Sequence, residues 1–406
     1  MISDSCEKNE SCEKNESCES IESSEKYIPK EIDKWEDLET NADLLRGIYA
    51  NGFEKPSPIQ QKAICSLFDK KDVIAQAQSG TGKTGCFTIG VLERIDINLK
   101  ETQALILSPT RELSHQINSV IRTIGKFYTN LKTQLLVGGT SIESDIIALQ
   151  SCPHVVVGCP GRVHDMLRRR KLKTTHLKII VLDEADEMLS SGFKEQVYNI
   201  FQFLNKDIQV ALFSATMPES LSVLTNKFMR DPIRILVKTE QLTLEGIKQY
   251  YVAVENDTQK YDTLKDLYGV FSLSQCIIYC NSVKRVQDLF DAMTEDNFPV
   301  CQIHSNMDKI EREKNFKEFS SGNMRVLISS NVTARGIDVQ QVSTVINFDI
   351  PKCVHTYLHR IGRSGRWGRK GMGINFVTRR DTRYMKDIEQ HYHTDISELP
   401  ATITNN

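Results

Sequence analysis

Residues Val73 to Thr84 read VIAQAQSGTGKT, and they are the most informative segment for the fold of this chain. Apolar residues open it, glycines interrupt it, and a segment of helical period follows it. Glycine lets the backbone wrap closely round an anion, and the start of a helix presents free N–H groups, so the stretch predicts a phosphate-binding loop. A glycine-rich turn that binds nothing is the alternative, but it does not explain Gly-Lys-Thr between a strand and a helix. We assign phosphate binding to the loop residues Ala77, Gln78, Ser79, Gly80, Thr81, Gly82, Lys83 and Thr84.

Four side chains suit the chemistry of a nucleoside triphosphate. Lys83 is expected to reach the β- and γ-phosphates, and the Thr84 hydroxyl is expected to bind Mg²⁺. The apolar residues 179–182 end in Asp183 and Glu184, which would project from the carboxyl end of a strand toward the same site. Asp183 suits Mg²⁺, held through a water, and Glu184 suits orienting or deprotonating the attacking water. The pattern therefore predicts phosphoryl transfer.

Phosphoryl transfer also requires a positively charged side chain close to the γ-phosphate. A basic run at residues 359–366 could supply it. Arg363 and Arg366 lie three positions apart, so both would point from one helical face into a cleft. Such an arginine raises the rate by roughly 10³ to 10⁵. A solvated basic helix face is the alternative. If the arginines come from a second domain, hydrolysis depends on closure of the two domains.

Short β-rich runs alternate with segments of helical period along most of the chain, which predicts mainly parallel sheets flanked by helices. The predicted strands are residues 73–75, 104–108, 135–137, 155–157, 179–182, 210–214, 233–237, 250–254, 276–279, 300–303, 326–329, 345–348 and 374–377. A polar stretch interrupts the pattern after the seventh strand. We therefore predict an α/β protein with two tandem domains and a cleft between them.

The domain boundaries follow from composition. Residues 1–34 are rich in Ser, Glu, Lys and Asn and contain a six-residue repeat, which predicts a disordered low-complexity tail. The nucleotide-binding domain is predicted at 35–237, a linker at 238–246 and the second domain at 247–406. A length of 406 residues fits two domains better than one.

Composition narrows the class of protein without naming a partner. The net charge of −2 does not indicate nucleic acid, so such binding would depend on local patches. Eleven cysteines without Cys-x-x-Cys spacing favour reduced thiols and a cytoplasmic protein, with a nuclear one as the alternative. The chain has no apolar run of about 18 residues, so we expect no membrane span and no secretory signal. We expect a monomer.

Taken together, these motifs identify a family. From Trp35 to about Ile403 the chain resembles the DEAD-box RNA helicases of superfamily 2, which have two RecA-like domains. Within that family it is most similar to the translation initiation factor 4A group and its exon-junction paralogue. Besides the loop and the Asp183–Asp186 acids, the stretches that carry the resemblance are residues 45–49, 52–57, 59–61, 230–237 and 242–247.

The resemblance implies roles for residues that look ordinary by themselves. Phe53 would stack on adenine, Gln60 would read the adenine edge, and Asp338 would contact ATP from the second domain. The resemblance also implies that three residues couple hydrolysis to strand separation, namely Ser214, Thr216 and His359.

Contacts to single-stranded RNA are implied in the same way. Loop tips with Pro, Gly and Thr expose backbone N–H groups to phosphates, and arginines add charge-assisted bonds. Such contacts read backbone and shape rather than base sequence. The implied RNA-binding residues are Pro109, Thr110, Arg111, Gly139, Pro160, Gly161, Arg162, Asn281 and Arg335.

Several positions depart from the family pattern, and all of them are expected on the RNA side. Cys159 replaces a Thr, Lys309 replaces a Gln, and Asn331 replaces an Asp. Ser305 and Asn306 replace a Gly-Asp pair. The ATP-site residues match the family.

The resemblance implies an ATP- and Mg²⁺-dependent helicase that binds mRNA and unwinds short duplexes, acting in translation initiation with a scaffold protein. The alternative is an ATP-gated RNA clamp, an assembly platform for mRNA processing in the manner of the exon-junction complex. A GTPase switch is a third hypothesis, but Asn205-Lys206-Asp207 falls one residue short of the guanine-binding pattern.

Overall fold

The computed structural model describes residues 27, 29–78, 80–190, 192–236, 247–271, 274–333, 342–364 and 371–400. Four of the predicted site residues lie outside this part of the chain, namely Ser79, Arg335, Asp338 and Arg366. The predicted linker at 238–246 and residues 1–26 of the predicted tail lie outside it too.

The first domain is built on a parallel sheet of seven strands in the order β3-β4-β2-β5-β6-β1-β7. The strands are β1 Val73–Gln76, β2 Ala104–Leu107, β3 Thr133–Leu136, β4 Val155–Gly158, β5 Ile179–Asp183, β6 Gln209–Ser214 and β7 Ile233–Leu236. The central strands β2, β4, β5 and β6 are buried along their whole length. This explains their continuous apolar sequence, because both faces of a parallel sheet are covered by helices.

Helices cover both faces of this sheet. They are α1 Ala42–Ala50, α2 Pro58–Phe68, α3 Lys83–Arg94, α4 Arg111–Ile124, α5 Ile142–Gln150, α6 Pro160–Arg168, α7 Ala185–Ser190, α8 Lys194–Gln202 and α9 Glu219–Phe228. Two separate apolar clusters, one on each face, form the core of the domain.

The second domain repeats this architecture, with the strand order β10-β11-β9-β12-β13-β8-β14. Its strands are β8 Ile247–Ala253, β9 Gln275–Tyr279, β10 Val300–Ile303, β11 Val326–Ser329, β12 Val342–Asn347, β13 Gly371–Val377 and β14 Ser397–Glu398. The helices are α10 Asp257–Phe271, α11 Val283–Glu295, α12 Lys309–Ser320, α13 Val354–Ile361 and α14 Thr382–Tyr392. Every strand pair in both sheets of the described chain is parallel.

The predicted fold class is confirmed: two parallel sheets flanked by helices match tandem RecA-like domains. Each predicted strand overlaps an observed one, and only β14 was missed. The first domain starts earlier than the predicted boundary at residue 35. Ile32 is 1% exposed, and its backbone N–H donates to the Gln61 carbonyl at 3.2 Å, because an apolar side chain gains by packing against α2.

The two domains contact each other through polar and charged side chains. Both Nε and an Nη of Arg312, on α12, lie within 2.7 Å of the Glu112 carboxylate on α4. His359, on α13, lies 3.2 Å from Asp186 on α7. These contacts bring the carboxyl ends of the two sheets together, where ligands of open parallel sheets bind. Among the described residues, none of the helices has the length and apolar character that a bilayer crossing requires.

Candidate functional site

The loop between β1 and α3 has the backbone that the sequence predicted. Gly80 and Gly82 have φ values of 79° and 95°, in the left-handed region that favours glycine. A Cβ on Gly82 would lie 2.8 Å from both Gln60 Nε2 and Ser57 Oγ, so an alanine there would be strained by its φ and would displace these side chains. Helix α3 begins directly after Gly82, at Lys83. The loop therefore presents the first N–H groups of a helix to a ligand.

Lys83 meets the acids of the next motif inside the domain. It is 6% exposed, and its Nζ lies 3.5 Å from Glu184 Oε1. Asp183 ends β5 and accepts a hydrogen bond from the Glu184 N–H at 3.0 Å. Glu184 has a φ of 51°, so its backbone is held in a conformation that non-glycine residues rarely adopt. The predicted lysine and two carboxylates are thus brought together.

The pKa of Asp183 is raised above its usual range. Burial is the main cause, the neighbouring Glu184 carboxylate adds to it, and the Lys83 ammonium opposes it. Two adjacent buried carboxylates with one lysine make a site that favours an additional cation. The donor atoms, from Asp183 and the Thr84 hydroxyl, are hard oxygens of the kind that Mg²⁺ prefers. The residues present therefore fit the predicted metal.

The predicted adenine-binding residues pack against the start of α3. Gln60 is 2% exposed, its Nε2 donates to the Gly82 carbonyl at 3.1 Å, and its Oε1 accepts from the Ser57 N–H at 2.8 Å. An amide has two N–H groups and two oxygen lone pairs, so each end retains capacity for a base. Phe53 is half-buried, and its ring would lie 3.1 Å from a Cβ on Gly85. Their placement beside the loop fits the predicted role, which stays a prediction.

The predicted coupling residues form one chain of contacts across the domain boundary. Ser214 Oγ donates to the Thr216 carbonyl at 2.7 Å, and Thr216 Oγ1 donates to Asp186 Oδ2 at 2.6 Å. The same Asp186 oxygen lies 3.2 Å from Nε2 of His359. Ligand atoms of Glu184, Asp186 and His359 lie within 4.8 Å of one another. Because one Asp186 oxygen serves both Thr216 and His359, we assign this group to contact between the domains.

The predicted arginine pair is only partly described. Helix α13 ends at Ile361, and the chain turns at Gly362. Arg363 follows the end of the helix, and its N–H donates to the Arg360 carbonyl at 3.1 Å in the turn. That Arg363 and Arg366 share one face stays a prediction. The Arg363 side chain is buried, and its Nε donates to the His359 carbonyl at 3.2 Å. This contact places it beside the residue that reaches Asp186, whereas delivery of a guanidinium to phosphate stays a prediction.

Several predicted RNA-binding loops line one cavity of about 780 Å³ between the domains. The first domain contributes Pro109, Thr110, Arg111, Gly161 and Arg162, and the second contributes Ser305, Arg312 and Asn331. Cys159 lines it as well, so three of the departures from the family pattern lie together. A Cβ on Gly161 would meet nothing within 4 Å, so its backbone is accessible.

Other predicted RNA contacts are used inside the protein. Arg162 pairs with the buried carboxylate of Asp145 and donates to the Thr140 carbonyl at 2.9 Å. Asn281 accepts a hydrogen bond from Arg360 at 2.9 Å and donates to the Ile350 carbonyl at 2.9 Å. These two side chains hold loops in place, and their contact with RNA stays a prediction.

The remaining predicted RNA contacts occupy structural positions. Pro160 is buried at the first position of α6, where a proline is well tolerated. Gly139 has a φ of 83° and packs under Arg111.

Sequence analysis did not identify four residues that organise the site. The sequence shows Asp186 only as part of an acidic run, although its carboxylate contacts both Thr216 and His359. The pair between Glu112 and Arg312 joins residues 200 positions apart, and no local pattern signals it. Arg360 was read as part of a basic run, yet it is fully buried. A fully buried arginine requires hydrogen-bond partners, but the sequence does not say which ones.

The fold and the site define a two-domain phosphate-loop protein in which the second domain contacts Asp186, an acid of the same motif as Asp183 and Glu184. The DEAD/DEAH box helicase family matches residues 57–224, and the helicase conserved C-terminal domain matches residues 259–368. The chain belongs to the DEAD-box helicase family, and it is an enzyme of the helicase and ATPase class.

Individual relatives agree with this assignment. The chain is 55% identical to "ATP-dependent RNA helicase eIF4A" of Pyricularia oryzae over 92% of its length and 94% of that protein. It superimposes on Dbp5 of S. cerevisiae bound to RNA and ADP BeF3 with a TM-score of 0.86, at 35% identity over 92% and 96% of the two chains. Against Dbp5 L327V bound to gle1 h337r and IP6 the TM-score is 0.74, at 33% identity over 93% and 100%.

Proposed function

We propose that this chain is an ATP-dependent RNA helicase that binds single-stranded RNA across both domains and locally unwinds short duplexes. The observation that carries the proposal is the pair of contacts between the domains, at Asp186 beside the acids and at Glu112 beside the cavity. The TM-score of 0.86 against RNA-bound Dbp5, compared with 0.74 against Dbp5 L327V bound to gle1 h337r and IP6, supports the same proposal. We place the activity in translation initiation, following the eIF4A relatives.

ATP binding would redistribute the charges at the loop. The triphosphate carries more negative charge than Glu184, so it competes with that carboxylate for the Lys83 ammonium. Glu184 is then available to orient the water that attacks the γ-phosphorus and to accept its proton. Phe53 and Gln60 would hold the adenine beside the same helix. Asp183 and Thr84 would hold Mg²⁺, which neutralises charge on the β- and γ-phosphates when bound.

Closure would couple the two ligands. Asp338, Arg363 and Arg366 would reach the phosphates from the second domain, and His359 already contacts Asp186. RNA in the cavity would be held by loops of both domains, so ATP and RNA would each favour the closed arrangement. Base stacking of about 1.4 kcal/mol per step (a DNA value) limits the opening to a few base pairs in each closure.

The decisive experiment compares Glu184→Gln with Glu195→Gln. Glu184 is buried beside Lys83, whereas Glu195 is an exposed acid on α8, so the pair separates the role of the site from the change of residue type. We expect single-stranded RNA to stimulate ATP turnover of the parent and of Glu195→Gln. Glu184→Gln should still bind ATP and RNA but should lose turnover. Turnover by Glu184→Gln at the parental rate with RNA present would refute the assignment.

An ATP-gated RNA clamp is the second candidate, and one observation favours it. Three departures from the family pattern, Cys159, Ser305 and Asn331, line the same cavity. Altered RNA contacts could slow release after hydrolysis and make the protein an assembly platform for mRNA processing. The lifetime of labelled RNA on the protein after a single ATP turnover separates the candidates. Release of RNA together with phosphate supports the helicase, and RNA that stays bound after phosphate has been released supports the clamp.

The setting of the activity is also a proposal. We place the protein in the cytoplasm, with the nucleus as the alternative under the clamp hypothesis. A monomer that works with a scaffold protein of the initiation or exon-junction complex is the assembly we propose. Measuring RNA-stimulated ATP turnover with and without a scaffold protein of the translation-initiation complex tests it. No change in turnover would count against that partner.

A further inference from the structure

Arg360, on α13, is a buried cation whose hydrogen bonds all go to neutral oxygens. Its side chain is 0% exposed. It donates to the amide oxygens of Asn281, Asn331 and Asn347 at 2.6–3.1 Å, and to the Asp349 backbone carbonyl at 2.8 Å. Among the residues that the structure describes, no carboxylate lies within ion-pairing distance of this guanidinium. Arg360 is therefore a positive charge that no acid among the described residues neutralises by direct contact.

The nearby acid, Asp349, has its carboxylate directed to other cations. Lys260 lies 3.3 Å from one carboxylate oxygen, and Arg285 donates to both oxygens at 2.7 Å. Asp349 thus leaves the charge of Arg360 only partly compensated. Burial lowers the pKa of Arg360 to about 10, as expected for a cation that has lost water without gaining a carboxylate.

Asn331 lies between Arg360 and the cavity that separates the domains. Its Oδ1 accepts from Nε and Nη2 of Arg360 at 3.0 and 2.6 Å, so the oxygen points inward. The Nδ2 group lies on the opposite side of the same planar amide. Asn331 is exposed and lines the cavity. An aspartate would present an oxygen at that position, whereas asparagine presents two N–H donors.

We propose that Asn331 is an RNA-binding residue of this chain, donating from its side-chain amide to a phosphate oxygen of RNA in the cavity. Arg360 acts behind it as a positioning residue that orients the amide and supplies positive charge. The proposal rests on the proposed function, since it assumes that RNA enters this cavity. Such contacts fix the backbone of the nucleic acid and do not read bases.

The alternative is that Asn331 only holds Arg360. Both ideas predict that Asn331→Asp stabilises the protein, because the new carboxylate pairs with a buried cation and is itself exposed. The two ideas differ in the RNA affinity that they predict for Asn331→Asp. The alternative leaves RNA affinity unchanged, whereas the proposal lowers it through a lost donor and an added negative charge.

The experiment measures thermal unfolding and RNA binding for the parent, Asn331→Asp and Asn331→Ala. Binding is followed by fluorescence anisotropy of a short labelled oligouridine with a non-hydrolysable ATP analogue. Asn331→Asp should raise the unfolding midpoint by roughly 2–4 °C. It should also weaken RNA binding by roughly tenfold to a hundredfold, and reduce the salt slope by about 0.7. Asn331→Ala should lower the midpoint and also weaken RNA binding. The two variants should therefore change the unfolding midpoint in opposite directions, while both weaken RNA binding.

Asn297→Asp is the matched control. It adds the same charge to an exposed position before the amino end of β10, whereas Asn331 follows the carboxyl end of the neighbouring parallel strand β11. It should leave RNA affinity within about twofold of the parent. Asn331→Asp that binds RNA like Asn297→Asp, or that fails to raise the midpoint, overturns the inference while the proposed function stands. A parent chain that does not bind the oligouridine overturns both.

Discussion

The two domains have the same strand order, since β8 to β14 take the positions of β1 to β7. They also share a buried lysine–carboxylate pair at the equivalent place. In the first domain Lys83 lies 3.5 Å from Glu184, and in the second Lys260 lies 3.3 Å from Asp349. Each lysine is in the first turn of the helix that follows the first strand, and each acid follows the fifth. The fold therefore supplies this pair in both domains.

What differs is the connection before the lysine. In the first domain it contains Gly80 and Gly82 with positive φ. In the second domain the corresponding residues 254–256 contain no glycine. Arg285 pairs with Asp349 from α11, and Asp381 lies 3.7 Å from Lys260, so side chains occupy the space near the pair. The comparison teaches that the glycine loop, rather than the lysine and acid, makes room for phosphate.

The largest effect should come from replacing the two lysines in parallel. Lys83→Met should lower ATP turnover by roughly 10²–10³-fold, because it removes a fixed positive charge from the phosphates. Lys260→Met should leave turnover of the folded protein near the parental value. It should instead lower stability by about 1–3 kcal/mol, because part of the Asp349 hydrogen bonding is lost in a buried site. Steady-state ATPase assays and denaturant unfolding of both variants check this.

An equal loss of ATP turnover in Lys83→Met and Lys260→Met would contradict this difference between the domains. It would mean that the second domain also binds a phosphate. Circular dichroism before the assay shows whether each variant is folded, and nucleotide affinity measured by fluorescence separates loss of binding from loss of chemistry.

The second effect concerns how the domains act on each other. Arg312 forms an ion pair with Glu112, with Nη2 donating to the carboxylate at 2.7 Å, and both side chains are about 10% exposed. Removing one partner of such a pair usually costs about 2 kcal/mol or more. We expect Glu112→Arg and Arg312→Glu each to lower RNA-stimulated ATPase at least about tenfold. The double exchange should recover much of it. Equal activity of both single variants and the parent would show that the pair does not form during turnover.

The third effect is a pH dependence of protein stability that comes from the buried Asp183 carboxyl. The pKa of Asp183 is raised in the folded protein, so the native state binds more protons than the unfolded one above the ordinary value of 3.8. Stability without metal or nucleotide should therefore fall as pH rises from that value through the raised pKa. Asp183→Asn should abolish this loss, unfold at higher temperature than the parent at pH 8, and be inactive. Thermal unfolding with a chelator at pH 5 and pH 8 measures it.

Exposed Asp291 provides the control for that experiment, because Asp291→Asn removes the same charge from the surface of the second domain. Its unfolding midpoint should follow that of the parent at both pH values. If Asp183→Asn also followed the parent, the buried carboxylate would not be the source of the pH dependence.

The sequence predicted what depends on local pattern. Alternation of short apolar runs and helical segments located thirteen strands, whereas β14 has two exposed residues and no apolar signal. The glycine loop and the acids after β5 were recognisable because their spacing reflects phosphate chemistry. The Arg312 pair and the oxygens around Arg360 were not, since they join residues distant in sequence. Nor did the sequence show that α13 ends before Arg363, because the spacing of two arginines does not define a helix end.

The smallest effect concerns the residues that precede three helices. Thr110 accepts a hydrogen bond from the Leu113 N–H at the start of α4, and Ser282 accepts one from the Arg285 N–H at the start of α11, the equivalent helix of the second domain. Cys159 makes no such bond at the start of α6. Cys159→Ser should therefore stabilise the first domain by about 1 kcal/mol, because a hydroxyl there can accept a free N–H. Cys152→Ser, away from any helix start, is the control for loss of a thiol. Denaturant midpoints that fall for Cys159→Ser but not for Cys152→Ser would show that packing of the Cys159 thiol outweighs the missing cap.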